Sequence, residues 1–235
     1  MKEKIFIIGA GRSGSSLLAA ILHQAGANFN VPVLKKWDRN HGEMEHPDLM
    51  AINNWHVRQR IISQIMPSKK GAGICKRKRL NLLDRMLKKA DFFKIHGWEY
   101  LVPEVFKLGY KPVIIISFRN FNDYMVSLHL KTGDDFQFLA DSYFNLNTNS
   151  LLQLSLFGGC VIDYNDLIDK QEEGWAIHLS ELTGINKSNL LVVRDELAAS
   201  VRRRANDSLM PRDERCELVL AQLKELKGRV IKPVI

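Results

Sequence analysis

Cysteine is scarce in this chain. Cys75, Cys160 and Cys216 are odd in number and far apart, with no C-x-x-C or H-x-x-x-H spacing, so neither a disulfide framework nor a metal site is expected. Long apolar runs are missing too. No stretch approaches the ~18 apolar residues of a membrane span, and the N-terminus runs into a strand pattern without a signal segment, so a cytoplasmic protein without a membrane span is the expectation. Internal repeats, low-complexity tracts and linker-like stretches are absent, which points to a single domain over residues 1–235. Acid is locally scarce: from Lys69 to Lys89 nine basic residues face only Asp84, including the run Lys76-Arg77-Lys78-Arg79. The whole chain carries a formal charge of +8, which favours anionic ligands without naming one.

What is present begins at the N-terminus. Ile5 to Ile8 is short, β-branched and apolar, the pattern of a buried central strand, and Leu17, Leu18, Ile21 and Leu22 repeat at helical spacing until Gly26. Gly9-Ala10-Gly11-Arg12-Ser13-Gly14 therefore joins a strand to a helix. The first amides of a helix have no intrahelical partners and sit at the positive end of its dipole, so such a junction grips anions, and glycine lets the backbone approach them. Against the nucleotide-binding template G-x-x-x-x-G-K-[ST], Gly9 to Ser16 fits both glycines and the final hydroxyl, but Ser15 stands where the lysine belongs. The cation is displaced to Arg12. A kinase or ATPase uses that lysine on its terminal phosphates, so another phosphate-bearing donor is indicated. A tight packing turn is the plain alternative.

Further along, Asn28 to Met44 is polar and loop-like, and Pro47 opens a helical pattern to about Met66 with Leu49, Ile52, Asn53, Val57, Ile61 and Ile65 on one face. Glu43 and Glu45 are acceptor-contact candidates, with ordinary solvated carboxylates as the alternative. Asp91 to His96 is a short strand pattern ending in histidine. His96 titrates near neutral pH and suits deprotonation of a hydroxyl, while period-two geometry puts Lys94 on the same strand face; structural or surface roles are the alternatives. Val105 to Leu108 is a short helical piece. Pro112 to Phe118 is the clearest buried strand, and Arg119-Asn120 follows at its carboxyl end, where parallel sheets collect ligands. Asn122 to Leu130 is helical, with Ser127 off its apolar face.

Asp135 to Phe157 reads as helix with a break near Asn145 to Asn149, Cys160 to Asp163 as a brief parallel strand, and Trp175 to Leu182 as a helix ended by Gly184. Arg202-Arg203-Arg204 is either a phosphate or acceptor contact or a solvated helix end. Pro211 to Lys227 is a final helix. Strands interspersed with helices give an α/β protein: a three-layer fold of P-loop type, with a central parallel sheet flanked by helices.

In order along the chain, these segments resemble the sulfotransferase family. Arg12-Ser13-Gly14-Ser15-Ser16 is similar to its 5′-phosphosulfate loop, and Lys94-Ile95-His96 to its Lys-Thr-His segment. Arg119-Asn120-x-x-Asp123-x-x-x-Ser127 resembles its 3′-phosphate segment, Arg-Asn-Pro-x-Asp-x-x-x-Ser, and Tyr164-Asn165-Asp166-Leu167 its Tyr-Glu-Asp-Leu segment. Ile95, Phe121 and Asn165 depart from the pattern, and the glycine-rich basic loop that closes over adenine in many relatives has no counterpart.

The resemblance implies sulfuryl transfer from 3′-phosphoadenosine 5′-phosphosulfate to an acceptor hydroxyl or amine, with no metal required. Arg12, Ser13, Gly14, Ser15 and Ser16 would hold the 5′-phosphate, Arg119 and Ser127 the 3′-phosphate, and Tyr164 would lie near the nucleotide. His96 would be the base, with Lys94 and Arg12 on the leaving bridging oxygen. The acceptor would be a small molecule, glycan or lipid, tilted towards acidic ones, with Asn28 to Met44 and Asp134 to Asn149 shaping its pocket; specific nucleic-acid binding is not expected. The rival readings are a P-loop kinase, with Ser16 and Asp163 as magnesium contacts, and a non-enzymatic polyanion-binding protein built on Lys69 to Lys89.

Overall fold

The computed structural model describes residues 1–31, 46, 48–65, 69–95, 97, 99–198 and 211–235. The elements run β1 (Glu3–Ile8), α1 (Ser15–Gln24), α2 (Asp48–Ile65), α3 (Lys69–Lys89), β2 (Phe92–Lys94), a 3-10 turn (Glu99–Leu101), α4 (Val102–Lys107), β3 (Lys111–Phe118), α5 (Phe121–Thr132), α6 (Phe136–Phe157), β4 (Gly159–Asp163), α7 (Tyr164–Ile168), α8 (Gly174–Thr183), α9 (Lys187–Ala198), α10 (Glu214–Leu226) and β5 (Val230–Ile231).

The strands form one sheet in the order β2-β1-β3-β4-β5. β1 pairs in parallel with β2 (Ile7 opposite Lys94) and with β3 (Ile8 opposite Ile116), and β3 pairs in parallel with β4. β5 is antiparallel, with Val230 opposite Cys160, so the sheet is mostly rather than wholly parallel. The chain leaves β1 for β2 on one side and returns to β3 on the other. That reversal opens a crevice between the carboxyl ends of β1 and β3, the place where open parallel sheets take ligands.

Apolar residues on both faces bury the central strands. Phe6, Ile8, Ile114, Ile116 and Phe118 meet a helical layer from α3 to α6 and α10, joined by Leu49 and Ile52 at the start of α2. Ile5, Ile7, Val113 and Ile115 alternate onto the other face, against Leu17, Leu18 and Ile21 of α1, Leu167 of α7, Trp175 and Leu179 of α8 and Leu190 of α9. Helices thus cover both faces of the sheet.

Several local expectations need correction. α6 runs unbroken through Asn145 to Asn149, because its polar side chains fold back on the helix: Asn147 Nδ2 donates to Tyr143 O at 2.9 Å and Ser150 Oγ to Leu146 O at 2.8 Å. The expected helix over Asp135 to Phe157 is thus present as one continuous element. α10 starts after Asp213, whose carboxylate accepts from the Arg215 and Cys216 amides, and not at Pro211. α9 has no counterpart in the sequence reading. The apolar face of α2 is buried only at its start, since Val57 and Ile61 are 45% and 47% exposed.

Candidate functional site: a glycine-rich loop, an arginine stack and a helix N-terminus

The loop after β1 is held open by backbone geometry. Gly9 has φ +140°, and a Cβ there would lie 2.2 Å from the Ser117 carbonyl of β3, so the loop crosses that strand at a distance only glycine allows. Ser117 Oγ donates to Ser13 O at 2.8 Å and fixes the loop to the neighbouring strand. Arg12 adopts the left-handed region at φ +66°. Gly14 is the N-cap of α1 at φ +91°, and no side chain caps the first-turn amides. The first helical bond runs from Leu18 N to Gly14 O at 3.0 Å. Ser13 Oγ is buried without a hydrogen-bond partner among the described residues. Uncapped amides and an orphaned hydroxyl thus share one turn, the arrangement with which helix N-termini hold anions.

Two further segments converge on it from the carboxyl ends of β3 and β4. Tyr164, the first residue after β4, packs on Gly14 so closely that a Cβ there would sit 2.3 Å from its Cδ2. Arg119, after β3, stacks over the Tyr164 ring with 4.8 Å from Cζ to the centroid. Its Nε is buried with no hydrogen-bond partner among the described residues, and Asp123 Oδ2 is 3.7 Å away. Tyr143 OH donates to Arg119 O at 3.0 Å, and Asn120 Oδ1 accepts from Asn122 N to cap α5 at 3.0 Å. Two turns into α5, half-buried Ser127 accepts from Arg12 Nε at 3.2 Å. Lys94 is buried at the end of β2, in register with Ile7, two residues before the loop.

The structure thus brings Arg12, Ser13, Gly14, Ser15, Ser16, Arg119, Ser127 and Tyr164 to one end of the sheet. Arg12 is exposed, whereas Ser13 and Ser15 are buried. His96 lies outside the described residues, as do Glu43, Glu45, Arg202, Arg203 and Arg204. Asp163, the magnesium candidate of the kinase reading, caps α7 by accepting from Asn165 N at 2.9 Å, and burial raises its carboxyl above the ordinary range. Beside the start of α5, Asn120, Phe121, Asn122, Arg212, Leu220 and Lys224 help line a cleft of about 450 Å³ against α10.

The sequence reading left out two buried polar residues, Ser117 and Glu99. Ser117 is a lone hydroxyl inside an apolar strand, and that interruption was the available signal. Glu99 gave none. It is buried at the end of the segment after β2, its Oε1 accepts from Gly97 N at 3.2 Å, and burial pushes its carboxyl up to about 7.

No family model matches the chain, and no curated protein matches it.

Proposed function

We infer that the chain transfers a sulfuryl group from 3′-phosphoadenosine 5′-phosphosulfate to an acceptor hydroxyl or amine. The observation that carries this reading is the Arg12–Ser127 hydrogen bond. It joins the glycine-rich loop to the segment opened by Arg119, so two anion-binding elements lie side by side at the switch point between β1 and β3. One phosphate binder is common to many nucleotide proteins. Two, joined by a cation, fit a donor phosphorylated at both ends of its ribose.

The residues divide the work. The uncapped amides of α1 and the Ser13 hydroxyl receive the 5′-phosphate, and Arg12 faces the charge that grows on its bridging oxygen as the sulfur leaves. Arg119, steadied by Tyr164 and by Tyr143 on its carbonyl, offers a planar fork to the 3′-phosphate, with Ser127 adding a hydroxyl. In the transfer an acceptor oxygen or nitrogen bonds to sulfur, the bond from sulfur to the bridging oxygen breaks, and the acceptor proton passes to a base. His96 is assigned that base on the sequence pattern, and Lys94 the same leaving oxygen as Arg12. The kinase alternative lacks its lysine: position 15 is a buried serine at the helix start.

The test is calorimetric titration with 3′-phosphoadenosine 5′-phosphate, and with ATP with and without magnesium, for wild type and Arg119→Ala. Metal-independent binding of the bisphosphate, weakened at least ~10-fold in the variant, is the expected result. Binding of magnesium-ATP alone overturns the assignment in favour of a phosphotransferase.

A further inference from the structure

We propose that α2 and α3 form a docking surface for an anionic lipid bilayer. The proposal is independent of the sulfuryl-transfer reading, because it rests on a different part of the molecule. Residues 48–65 and 69–89 hold eleven Lys and Arg against two Asp, while the rest of the chain holds 23 against 24. The chain's whole positive excess therefore sits on two consecutive helices.

These helices lie antiparallel, as Asp48 meets Arg85 at 3.1 Å and Lys78 lies over Trp55 at 4.6 Å. Among the described residues it is their base that joins the core, through Leu49, Ile52, Leu83, Met86 and Leu87. The base also holds the paired cations: Arg79 with Glu104, Arg85 with Asp48 and Lys88 with Asp84. Towards the other end, Arg58, Arg60, Lys76, Arg77 and Lys78 have no carboxylate partner among the described residues. Like charges held this close, with no carboxylate partner among the described residues, favour an external anion.

Aliphatic side chains select the kind of anion. Val57, Ile61 and Ile74, among the unpaired cations, are 45%, 47% and 50% exposed. Matching Asp48 to Arg85 and Trp55 to Lys78 puts Ile61 and Ile74 at nearly the same level along the pair. A naked polyanion has no use for exposed isoleucines, whereas a bilayer interface takes aliphatic tips below its headgroups while lysine and arginine meet the phosphates. Single-stranded nucleic acid would want open aromatic rings, but Trp55 is flanked by Arg58 at 5.0 Å and Lys78 at 4.6 Å. Among the described residues no helix is long and apolar enough to cross a membrane, so the contact is peripheral.

The experiment is co-sedimentation of the full chain with vesicles of phosphatidylcholine alone, and of phosphatidylcholine with an equal share of phosphatidylserine. Polyuridylate and dextran sulfate serve as lipid-free polyanions. Binding to the anionic vesicles only, falling as salt is raised, is expected. Lys76→Gln/Arg77→Gln/Lys78→Gln should weaken it on the order of 100-fold, at about fivefold per lost charge near the surface. Ile61→Ser/Ile74→Ser should weaken it roughly tenfold without changing affinity for either polyanion. All five positions are exposed, and circular dichroism melts verify that the variants fold. No sedimentation with anionic vesicles, or vesicle binding indifferent to the isoleucines, overturns the proposal; polyanion binding without vesicle binding assigns the surface to a soluble polymer instead.

Discussion

Arg12 Nε donates to Ser127 Oγ at 3.2 Å, although 115 residues separate them. The bond sets an arginine from the β1 loop beside a serine two turns into the helix after β3, and Arg12 makes this contact from a left-handed backbone at φ +66°. A side chain in that region costs about 1 kcal/mol relative to glycine.

Backbone cost and ligand charge can therefore be separated at one position. Arg12→Gly should melt at the wild-type temperature or a few degrees above it, yet bind 3′-phosphoadenosine 5′-phosphate at least ~10-fold more weakly through loss of a charge-assisted contact. Arg12→Ala should lose the same affinity and keep the strain. Melting curves beside calorimetry decide it: unchanged affinity in both variants would detach Arg12 from the anion site.

The two loop glycines should respond unequally to alanine. At Gly9 the new Cβ meets the Ser117 carbonyl at 2.2 Å, and a backbone oxygen in the sheet cannot move aside. At Gly14 it meets Tyr164 Cδ2 at 2.3 Å, and a half-buried ring at a helix start can turn away. Denaturant unfolding should find Gly9→Ala destabilised by about 2–4 kcal/mol, in the range of strained or overpacked sites, and Gly14→Ala by less. Tyr164→Ala should rescue part of the Gly14→Ala loss and none of the Gly9→Ala loss.

The stack of Arg119 on Tyr164 makes a lysine substitution non-conservative. Arg119→Lys keeps the charge but loses the flat face over the ring and the paired donors, so affinity for the bisphosphate should fall roughly tenfold. Tyr164→Phe retains the ring and should be nearly silent. Should Arg119→Lys bind like wild type, charge alone would be what matters at this position.

Much of this arrangement is legible in the sequence because it is local. Ile5 to Ile8 and Pro112 to Phe118 are apolar on both faces, which only a covered central strand tolerates, and a glycine turn between strand and helix states its own geometry. The long-range facts are not written that way. Nothing in the residue order says that Ser117 reaches Ser13, that Tyr164 lies on Gly14, or that β5 adds itself antiparallel beyond β4. The expected break in α6 failed for a related reason: asparagine and serine compete with the backbone in isolation, but in a packed helix they bond the preceding turn. α9 was missed because a charged residue, Arg194, stands between Leu190 and Leu197 on its buried face, its guanidinium bonded to the carbonyls of Asp169, Lys170 and Glu172, while apolar Val192 is exposed.

Glu99 should leave a signature in the pH dependence of stability. Burial raises its carboxyl from the ordinary 4.5 to about 7, against weaker lowering contributions from the amides of Glu99 itself and Gly97. A carboxyl with a higher pKa folded than unfolded binds more protons in the native state, so stability is greatest below about 4.5 for this group and declines as pH rises towards 7. Across that window the loss amounts to roughly 3 kcal/mol, and above it the penalty is constant. His46 and His56 work in the opposite sense. Burial first, and for His56 the neighbouring Arg79 next, lowers their pKa from 6.5, so their contribution is present above that value and lost as pH falls through the lowered pKa. Whole-protein curves therefore mix opposing slopes, and the informative quantity is a difference. Glu99→Gln keeps an acceptor for the Gly97 amide and removes the titration. Subtracting its unfolding free energies from those of wild type, measured in denaturant from pH 5 to 8, should show the variant gaining steadily on wild type up to about pH 7 and level above it. A flat difference would mean that the Glu99 carboxyl is solvated and ionised throughout, and the native environment argued for it would be wrong.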